Sequence, residues 1–504
     1  MLGRKTLLIN PPLINGVAFT RQGRCQERDD VLGTTKPPYT LALMAAILRT
    51  AEMDLRLIDA TAEKLSIEDV IARLDEDGFV PTLIVFPTTT PTLDADVAAV
   101  ARLKARYGAP MFCFGPHAST APQLSMARAP EVDGMFVGEP EDGLLQLASL
   151  ESTAALGSAP TLTYREAGGP VVPHRAHGSY SGFMSMPYPA WDLVPLRNYA
   201  LPLVDKPYVI IETSRGCPYS CDFCVAPIHQ GHKFRERSAK ILVDEIERTY
   251  REHGIEYFYL WGDTVTLNVK SFSAFCDELI ARKLPIQWFG NARADNLTDP
   301  AFVHRLRRAG CWMLALGIET ESEEVRKDMV KRLESQKIEA AFRNMRAAGI
   351  RSFAFFIFGY PGETMETMQQ TVNYAVRLDP DFANFYPAVP YPGTAMYDKV
   401  VKDGLLPEGA DADWSKMEYS YYLLSGNGLN QRVVMDAINR AKRRFFLRPG
   451  YLARHLGDVA RLAVSKRSIF LQVIRRTLFG ADVVDTGRNP VRTAPAALAE
   501  ADRP

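Results

Sequence analysis

The sequence predicts an α/β fold in two successive series: an N-terminal, doubly wound Rossmann-like sheet, then a (β/α)6 partial TIM barrel, followed by a helical C-terminal region. Three observations carry this reading. Short apolar runs alternate with amphipathic helical stretches over residues 7–142, as in a parallel sheet with right-handed crossovers. The alternation resumes over 209–389 with six repeats, short of the eight that close a full barrel. Beyond about residue 400 it gives way to irregular and then helical, basic sequence. At 504 residues the chain exceeds a single core. The pattern divides it into a front domain 1–150, a connector 151–204, a six-repeat core 205–395, a mostly helical cap 396–480 and a disordered tail 481–504 rich in Ala, Pro and Arg.

In the first series, residues 7–10 form a short strand stopped by Pro11-Pro12, and 37–51 have helical composition with Pro at the start. Residues 54–60 alternate as a strand does, and 67–78 form an amphipathic helix ended by Gly78. A buried strand over 82–88, a helix over 93–108, a strand over 110–116 and a strand running into a turn over 133–142 complete it. Such sheets bind ligands beyond the carboxyl ends of their strands. The loops there are chemically rich: Asn10-Pro11-Pro12, Thr88-Thr89-Thr90, Gly115-Pro116-His117 and Gly138-Glu139. No G-x-G-x-x-G follows the first strand, so nothing supports a dinucleotide site.

The second series reads as strands at 209–213, 257–262, 285–292, 312–319, 352–359 and 381–389. Helices lie between them, from Ser238 to Glu252 and over 271–283, 300–309, 322–331, 335–348 and 364–378.

Lys plus Arg equals Asp plus Glu at 59 each, so no global field argues for a nucleic-acid partner. The opening apolar run is broken by Asn10-Pro11-Pro12 before a signal-peptide core is complete, and no run is long enough to span a bilayer. The expectation is a cytoplasmic protein. Seven cysteines are too sparse for a disulfide framework, yet three fall within eight residues. Of the scattered ones, Cys113 in Met111-Phe112-Cys113-Phe114 reads as a small buried hydrophobe.

The segment ETSRGCPYSCDFCVAP, 212–227, places Cys217, Cys221 and Cys224 in a C-x3-C-x2-C spacing after a strand, so that three thiolates can converge on one metal centre. A structural zinc takes a fourth Cys or His, and His229 and His232 lie just downstream. An iron–sulfur cluster with three protein ligands leaves one iron open to another molecule. Phe223, beside the last cysteine, helps to keep water from either centre.

With Arg215-Gly216 in front and six repeats around it, this loop resembles the radical S-adenosylmethionine (SAM) superfamily over residues 205–395. The resemblance implies a [4Fe–4S] cluster on the three cysteines, with SAM chelating the fourth iron through its amino and carboxylate groups. Reduction by a donor such as a flavodoxin or ferredoxin then gives methionine and a 5′-deoxyadenosyl radical. It also implies SAM contacts from Phe223 and from the strand ends. Gly262 and Asp263 stand where the family has a Gly-Gly-Glu-like turn for the amino group, with Trp261 departing at the first Gly. Arg293 would pair with the carboxylate, Glu319 with the ribose hydroxyls, and the Gly359, Pro361, Gly362 turn with the adenine.

The front domain resembles, over residues 4–150, the cobalamin-dependent subclass of that superfamily, which includes methyltransferases and the anaerobic magnesium-protoporphyrin ester cyclase type. The matching pieces are INPP, PPYTLALMAAILR, LIDA, Gly115-Pro116-His117 and VGEPED. The resemblance implies cobalamin near Asn10, Pro11, Thr88, Thr89, Thr90, Gly115, His117, Gly138 and Glu139. Asp59-Ala60-Thr61 lacks the histidine of an Asp-x-His-x-x-Gly loop, so no lower His ligand is expected. The implied reaction is methylation of an unactivated carbon of a small-molecule or lipid-like substrate. Alternatives are an oxidative cyclisation or rearrangement without methyl transfer, and a radical SAM enzyme whose front domain is a cobalamin-free binding module. No Ser–His–Asp or paired-carboxylate set stands out, so no catalytic residue is nominated. Cys25 is either a packing residue or a group acting on substrate or product radical. The basic stretch 441–480 reads as amphipathic helices with a solvated face, or as a peripheral membrane contact.

Overall fold

The computed structural model describes residues 1–22, 35–166, 168–201, 204–409, 413–465 and 471. Cys25 and the tail expected over 481–504 lie outside these residues.

Five parallel strands, β1 (Lys5–Asn10), β2 (Asp54–Asp59), β3 (Leu83–Pro87), β4 (Met111–Phe114) and β5 (Gly134–Phe136), pair in the order β2-β1-β3-β4-β5. Both faces are covered, so the central strands are nearly continuous runs of buried aliphatic and aromatic residues. Leu8, Val85 and Phe112 share one core with the helix Tyr39–Thr50. Leu7, Ile9, Ile84, Phe86 and Cys113 share a second with the helices Ile67–Glu76 and Leu93–Tyr107. Burial pushes the Cys113 thiol up, as befits a small hydrophobe.

The connector contains more sheet than its Gly, Pro and Ser content suggests. Strands β6 (Leu162–Arg165) and β7 (Val171–Val172) extend the first sheet antiparallel beyond the three-residue β5. Strand β8 (Ala200–Leu201) pairs antiparallel with β9 (Lys206–Glu212) of the second sheet.

The second sheet runs in the order β16-β15-β14-β13-β12-β9-β8. A short antiparallel ribbon, β10 (Ser214–Arg215) with β11 (Arg235–Glu236), follows β9. The remaining strands are β12 (Tyr257–Trp261), β13 (Gln287–Ala292), β14 (Cys311–Glu319), β15 (Arg351–Phe358) and β16 (Phe382–Pro387), and all pair in parallel with one another and with β9. Six parallel strands form an open partial barrel. Its crossover helices are capped as their sequences foretell: Ser238, Asn268, Asp299 and Thr364 each accept a backbone amide of the first turn. Burial alternates along the strands. Phe258, Leu260, Leu314, Leu316, Ala354 and Phe356 join the packed core, while their neighbours are only half-buried and line a cavity. Helix Gln431–Phe446 packs across β16 and the helix Met365–Leu378, and Pro449–Arg454 and Leu456–Ser465 continue from it.

The crevice between β1 and β3, where the strand order reverses, is filled by Arg21. Its guanidinium pairs with Asp96 at 2.8 Å, both side chains 1% exposed, and donates to Pro11 O, Pro12 O and Thr61 Oγ1 at 3.0–3.2 Å. Removing one member strands the other charge in low dielectric. Arg21→Ala is therefore expected to cost about 3–5 kcal/mol of stability, read as a lower urea midpoint with an unchanged slope.

Candidate functional site

Segments following the carboxyl ends of both sheets meet around one cavity of about 860 Å³. Gly115, Pro116 and Glu139 to Glu141 wall it from the first sheet, and the cysteine loop, Gly262, Asp263, Arg293 and Glu319 from the second.

The cysteine loop is clamped at its base by the β10–β11 ribbon. Gly216 at φ +83° lies so close to Lys233 O that a Cβ would sit 2.2 Å away, so only glycine fits there. Cys217 N donates to Gly231 O, Cys224 N to Cys221 O, and Ala226 N to Cys224 Sγ at 3.5 Å. All three cysteines line the cavity, Cys217 buried and the other two half-buried. A backbone amide aimed at a sulfur favours the thiolate that a cluster needs. His229 Nδ1 is bonded to Ser119 Oγ at 2.8 Å, and His232 is exposed. Among the described residues no three His, Cys, Asp or Glu side chains close on a single ion-sized point. A thiol wall open to a cavity fits a multi-iron cluster with one iron left for another ligand.

Behind the loop, Arg215 holds three buried carboxylates: Glu139 at 2.9 Å, Glu141 at 2.6 Å and Glu212 at 2.8 Å, none of the four side chains more than 4% exposed. Arg235 also pairs with Glu139. Burial alone would raise Glu139, but Arg215 and Arg235 outweigh it and hold the carboxyl below its usual range. At Glu212 burial wins over Arg215, and the carboxyl is pushed up.

The expected SAM contacts divide. Phe223, Gly262, Asp263, Arg293 and Glu319 line the cavity. A Cβ on Gly262 would meet Ser214 Oγ at 2.5 Å, which explains the glycine. Arg293 stacks over the Tyr219 ring at 4.0 Å, with Nε on Asp295 and Nη2 on the carbonyls of Lys331 and Arg332, so two of its three nitrogens are already engaged. Glu319 sits on a bulge at φ +66°, 2.7 Å from Lys331 Nζ. Lys331, also on the cavity wall, belongs to no motif the sequence reading singled out.

Gly359, Pro361 and Gly362 are not on the cavity wall. Glu363 Oε2 accepts from the amides of Gly359 at 2.7 Å and Tyr360 at 3.3 Å, and Tyr422 lies against Gly359 and donates to its carbonyl. The glycine makes room for that ring. Tyr360 in turn donates to Asp222, so the turn props the cysteine loop from behind.

Of the expected cobalamin residues, Gly115 and Glu139 line the cavity, and Asn10, Pro11, Thr88, Thr89, Thr90, His117 and Gly138 do not. Each of the latter is used internally. Asn10 bonds Asp59, which Tyr199 also reaches; Pro11 O accepts from Thr61 and Arg21; the Thr88 amide bonds Phe114 O; Thr89 bonds Thr92. Thr90 and Ser125 take the two ring nitrogens of His117 at 3.0 and 2.9 Å. That ring is fully buried edge-on to Trp414, and burial lowers it to about 3, so it is a neutral structural imidazole. Gly138 at φ +82° packs against Gly178 O. Thr20, Arg21 and Gln22 line the cavity instead.

The barrel side of the cavity is aromatic. Tyr259 and Phe289 stack at 4.7 Å, Trp312 meets Phe289 edge-on at 5.8 Å, and Phe353 and Phe355 lie 4.7 Å apart.

A three-thiol loop at the carboxyl edge of a six-stranded partial barrel, open to a cavity, defines an enzyme that binds an iron–sulfur cluster and leaves one coordination site for SAM. Residues 211–375 match the family model described as the Radical SAM superfamily, so the chain carries a radical SAM domain. It is 28% identical over 470 residues to an uncharacterized methyltransferase of Pyrococcus horikoshii, covering 91% of this chain and 97% of that protein. It is 27% identical over 429 residues to the anaerobic magnesium-protoporphyrin IX monomethyl ester cyclase of Cereibacter sphaeroides, covering 83% and 68%. The hopanoid C-3 methylase of Methylococcus capsulatus is 27% identical over 368 residues, covering 71% and 68%. Two solved structures share the fold. One is the radical SAM methyltransferase TsrM of Kitasatospora setae with cobalamin and a [4Fe–4S] cluster bound, with TM-score 0.63, 19% identity and coverage of 80% and 78%. The other is the cobalamin-dependent enzyme OxsB, with TM-score 0.67, 16% identity and coverage of 94% and 71%.

Two expectations follow from this geometry. Burial pushes Glu363 from 4.5 up to about 8. Its protonated form therefore stabilises the fold fully below pH 4.5, and that contribution is lost as pH rises through about 8. The melting temperature of the parent should fall across that window relative to Glu363→Gln, which keeps an acceptor for both amides. Gly317 lies under the Glu319–Lys331 pair, where a Cβ would be 2.4 Å from Glu319 Oε1. Gly317→Ala is expected to displace the pair at an overpacking cost of about 1–3 kcal/mol and to weaken SAM binding roughly tenfold in anaerobic equilibrium dialysis.

Proposed function

We propose that this enzyme is a cobalamin-dependent radical SAM C-methyltransferase acting on an apolar, small-molecule or lipid-like substrate. The observation that carries the reading is the single cavity whose walls come from both sheets, with thiols on one side and the Gly115–Glu141 edge on another. When bound, the cluster, SAM and cobalamin supply the electron, the hydrogen-abstracting radical and the methyl group.

The protein's own residues place and shield. Cys217, Cys221 and Cys224 would hold the cluster, while Phe223 and Tyr219 cover it. Glu319 and Lys331 offer a paired acceptor and donor to SAM, and Asp263 a carboxylate. Gly115 fits a flat cofactor against the first sheet: at φ +126°, a Cβ there would already press Thr88 O at 2.5 Å. The aromatic barrel face excludes water from an unactivated carbon. An electron donor such as a small flavin or iron–sulfur protein and a peripheral membrane contact belong to the same reading, within the cell. The similarity to an ester cyclase over 83% of the chain supports a second reading, oxidative cyclisation with the same cofactors.

Reduced, reconstituted protein supplied with cobalamin and methyl-labelled SAM is expected to release 5′-deoxyadenosine and to label an apolar acceptor. Release of 5′-deoxyadenosine with unlabelled but altered acceptor would overturn methyl transfer in favour of cyclisation. Anaerobic purification with cobalamin that yields no corrin spectrum would leave a radical SAM enzyme with a cobalamin-free front domain. Cys221→Ala is expected to lose the visible absorbance of the cluster and all SAM cleavage.

A further inference from the structure

Most charged residues of the cavity wall lie at one end, although Lys442, His455 and Asp458 of the C-terminal helices also line it. Arg215, Glu139, Glu141, Asp263, Arg293 and Glu319 gather where the cysteines are. The barrel interior runs from there between aromatic strand faces toward the amino ends of β15 and β16, about 20 Å for the six residues of β16. At that far end the wall is completed by the C-terminal helices, through Phe446, Leu447, Tyr451, Leu452 and Val459. Tyr451 fixes the position by donating to Asp381 O, just before β16, and Asp458 by pairing with Arg351 at the start of β15.

Two of these wall residues, Leu447 and Leu452, are 44% and 42% exposed. The apolar surface continues past them along the same helices to Leu456 at 66% and Val464 at 87%. Four of the large hydrophobic side chains most exposed among the described residues thus fall within eighteen residues, beside the rim of the cavity. The same helices carry exposed basic residues. Arg440, Arg443, Arg444 and Arg461 are exposed, whereas of the two acidic residues in 431–465, Asp458 is paired with Arg351.

Leucines over a basic rim match a lipid surface with anionic headgroups: the apolar side chains enter the acyl boundary and the arginines meet the phosphates. We propose that this helical face docks on an anionic bilayer and sets the far mouth of the cavity against it, so that an apolar substrate passes from the membrane into the barrel. The substrate route rests on the proposed methyltransferase reading; the docking face does not. No helix of the described residues is long and apolar enough to cross a membrane.

The test is co-sedimentation of the full chain with vesicles of phosphatidylglycerol or of phosphatidylcholine. Binding is expected to phosphatidylglycerol, to weaken as salt is raised, and to be far weaker to phosphatidylcholine. A Leu456→Gln, Val464→Gln double variant changes side chains off the cavity wall. It should bind at least roughly tenfold less while keeping its circular dichroism and its SAM cleavage. Absence of binding to both vesicle types, or binding untouched by the double variant, would overturn the proposal. So would concentration-dependent dimerisation lost in the variant without vesicle binding, which would assign the face to a second copy. Vesicle binding by protein that fails to cleave SAM would leave the docking face standing and sink the cofactor reading instead.

Discussion

The arrangement of this enzyme hangs on one buried guanidinium. Arg215 begins the cysteine loop, yet two of its three carboxylate partners, Glu139 and Glu141, come from the loop after β5 in the other sheet. Phe183 and Tyr180 of the connector flank its charge at 5.1 and 5.8 Å. Three segments far apart in sequence are thereby tied within two residues of Cys217. Taking these charges out of water is expensive, and each is tolerable only while its partners remain in place. Any sliding of one sheet past the other would strand an ion in low dielectric. The network therefore sets the separation between the thiol wall and the first sheet. With three carboxylates to the two guanidinium groups of Arg215 and Arg235, one negative charge is in excess, and the upward push on Glu212 relieves it by favouring its protonated form.

Much of the fold was legible because its signals are local. Strand–helix alternation, Ser238, Asn268 and Thr364 as helix caps, and the spacing of three cysteines each act over a few residues. Cys217, Asp263 and Glu319, singled out by motif, are brought together on the cavity wall. A conformational motif says less about what it will hold. The turn at Gly359–Gly362, expected beside the adenine, lies off the cavity wall, and Tyr422 packs against Gly359. The threonine run and His117 were expected beside a cobalamin; here Thr90 and Ser125 take the two ring nitrogens of His117, and Thr89 bonds Thr92. Arg21, which fills the crevice, and Lys331, which faces Glu319, carry no pattern at all. Their roles arise from pairings 75 and 12 residues apart that only the folded chain reveals.

The irregular cap completes the constraint that Arg215 begins. Trp414, Met417 and Leu423 pack into one core with Ile9, Ile84 and Phe86 of the first sheet, while Tyr422 and Leu424 belong to the other core, which includes the barrel strands. This short stretch is thereby shared between the two cores. Tyr422 at the same time closes the turn that holds Tyr360 against Asp222. A shift of the front domain would pull on Leu423, and through its neighbour on the support of the cysteine loop. The two sheets are thus joined on two sides of the cavity, by buried charge on one and by a buried aromatic segment on the other. A cavity held in that way is preformed, so substrate and cofactors meet a fixed geometry and the binding energy is not consumed in assembling it.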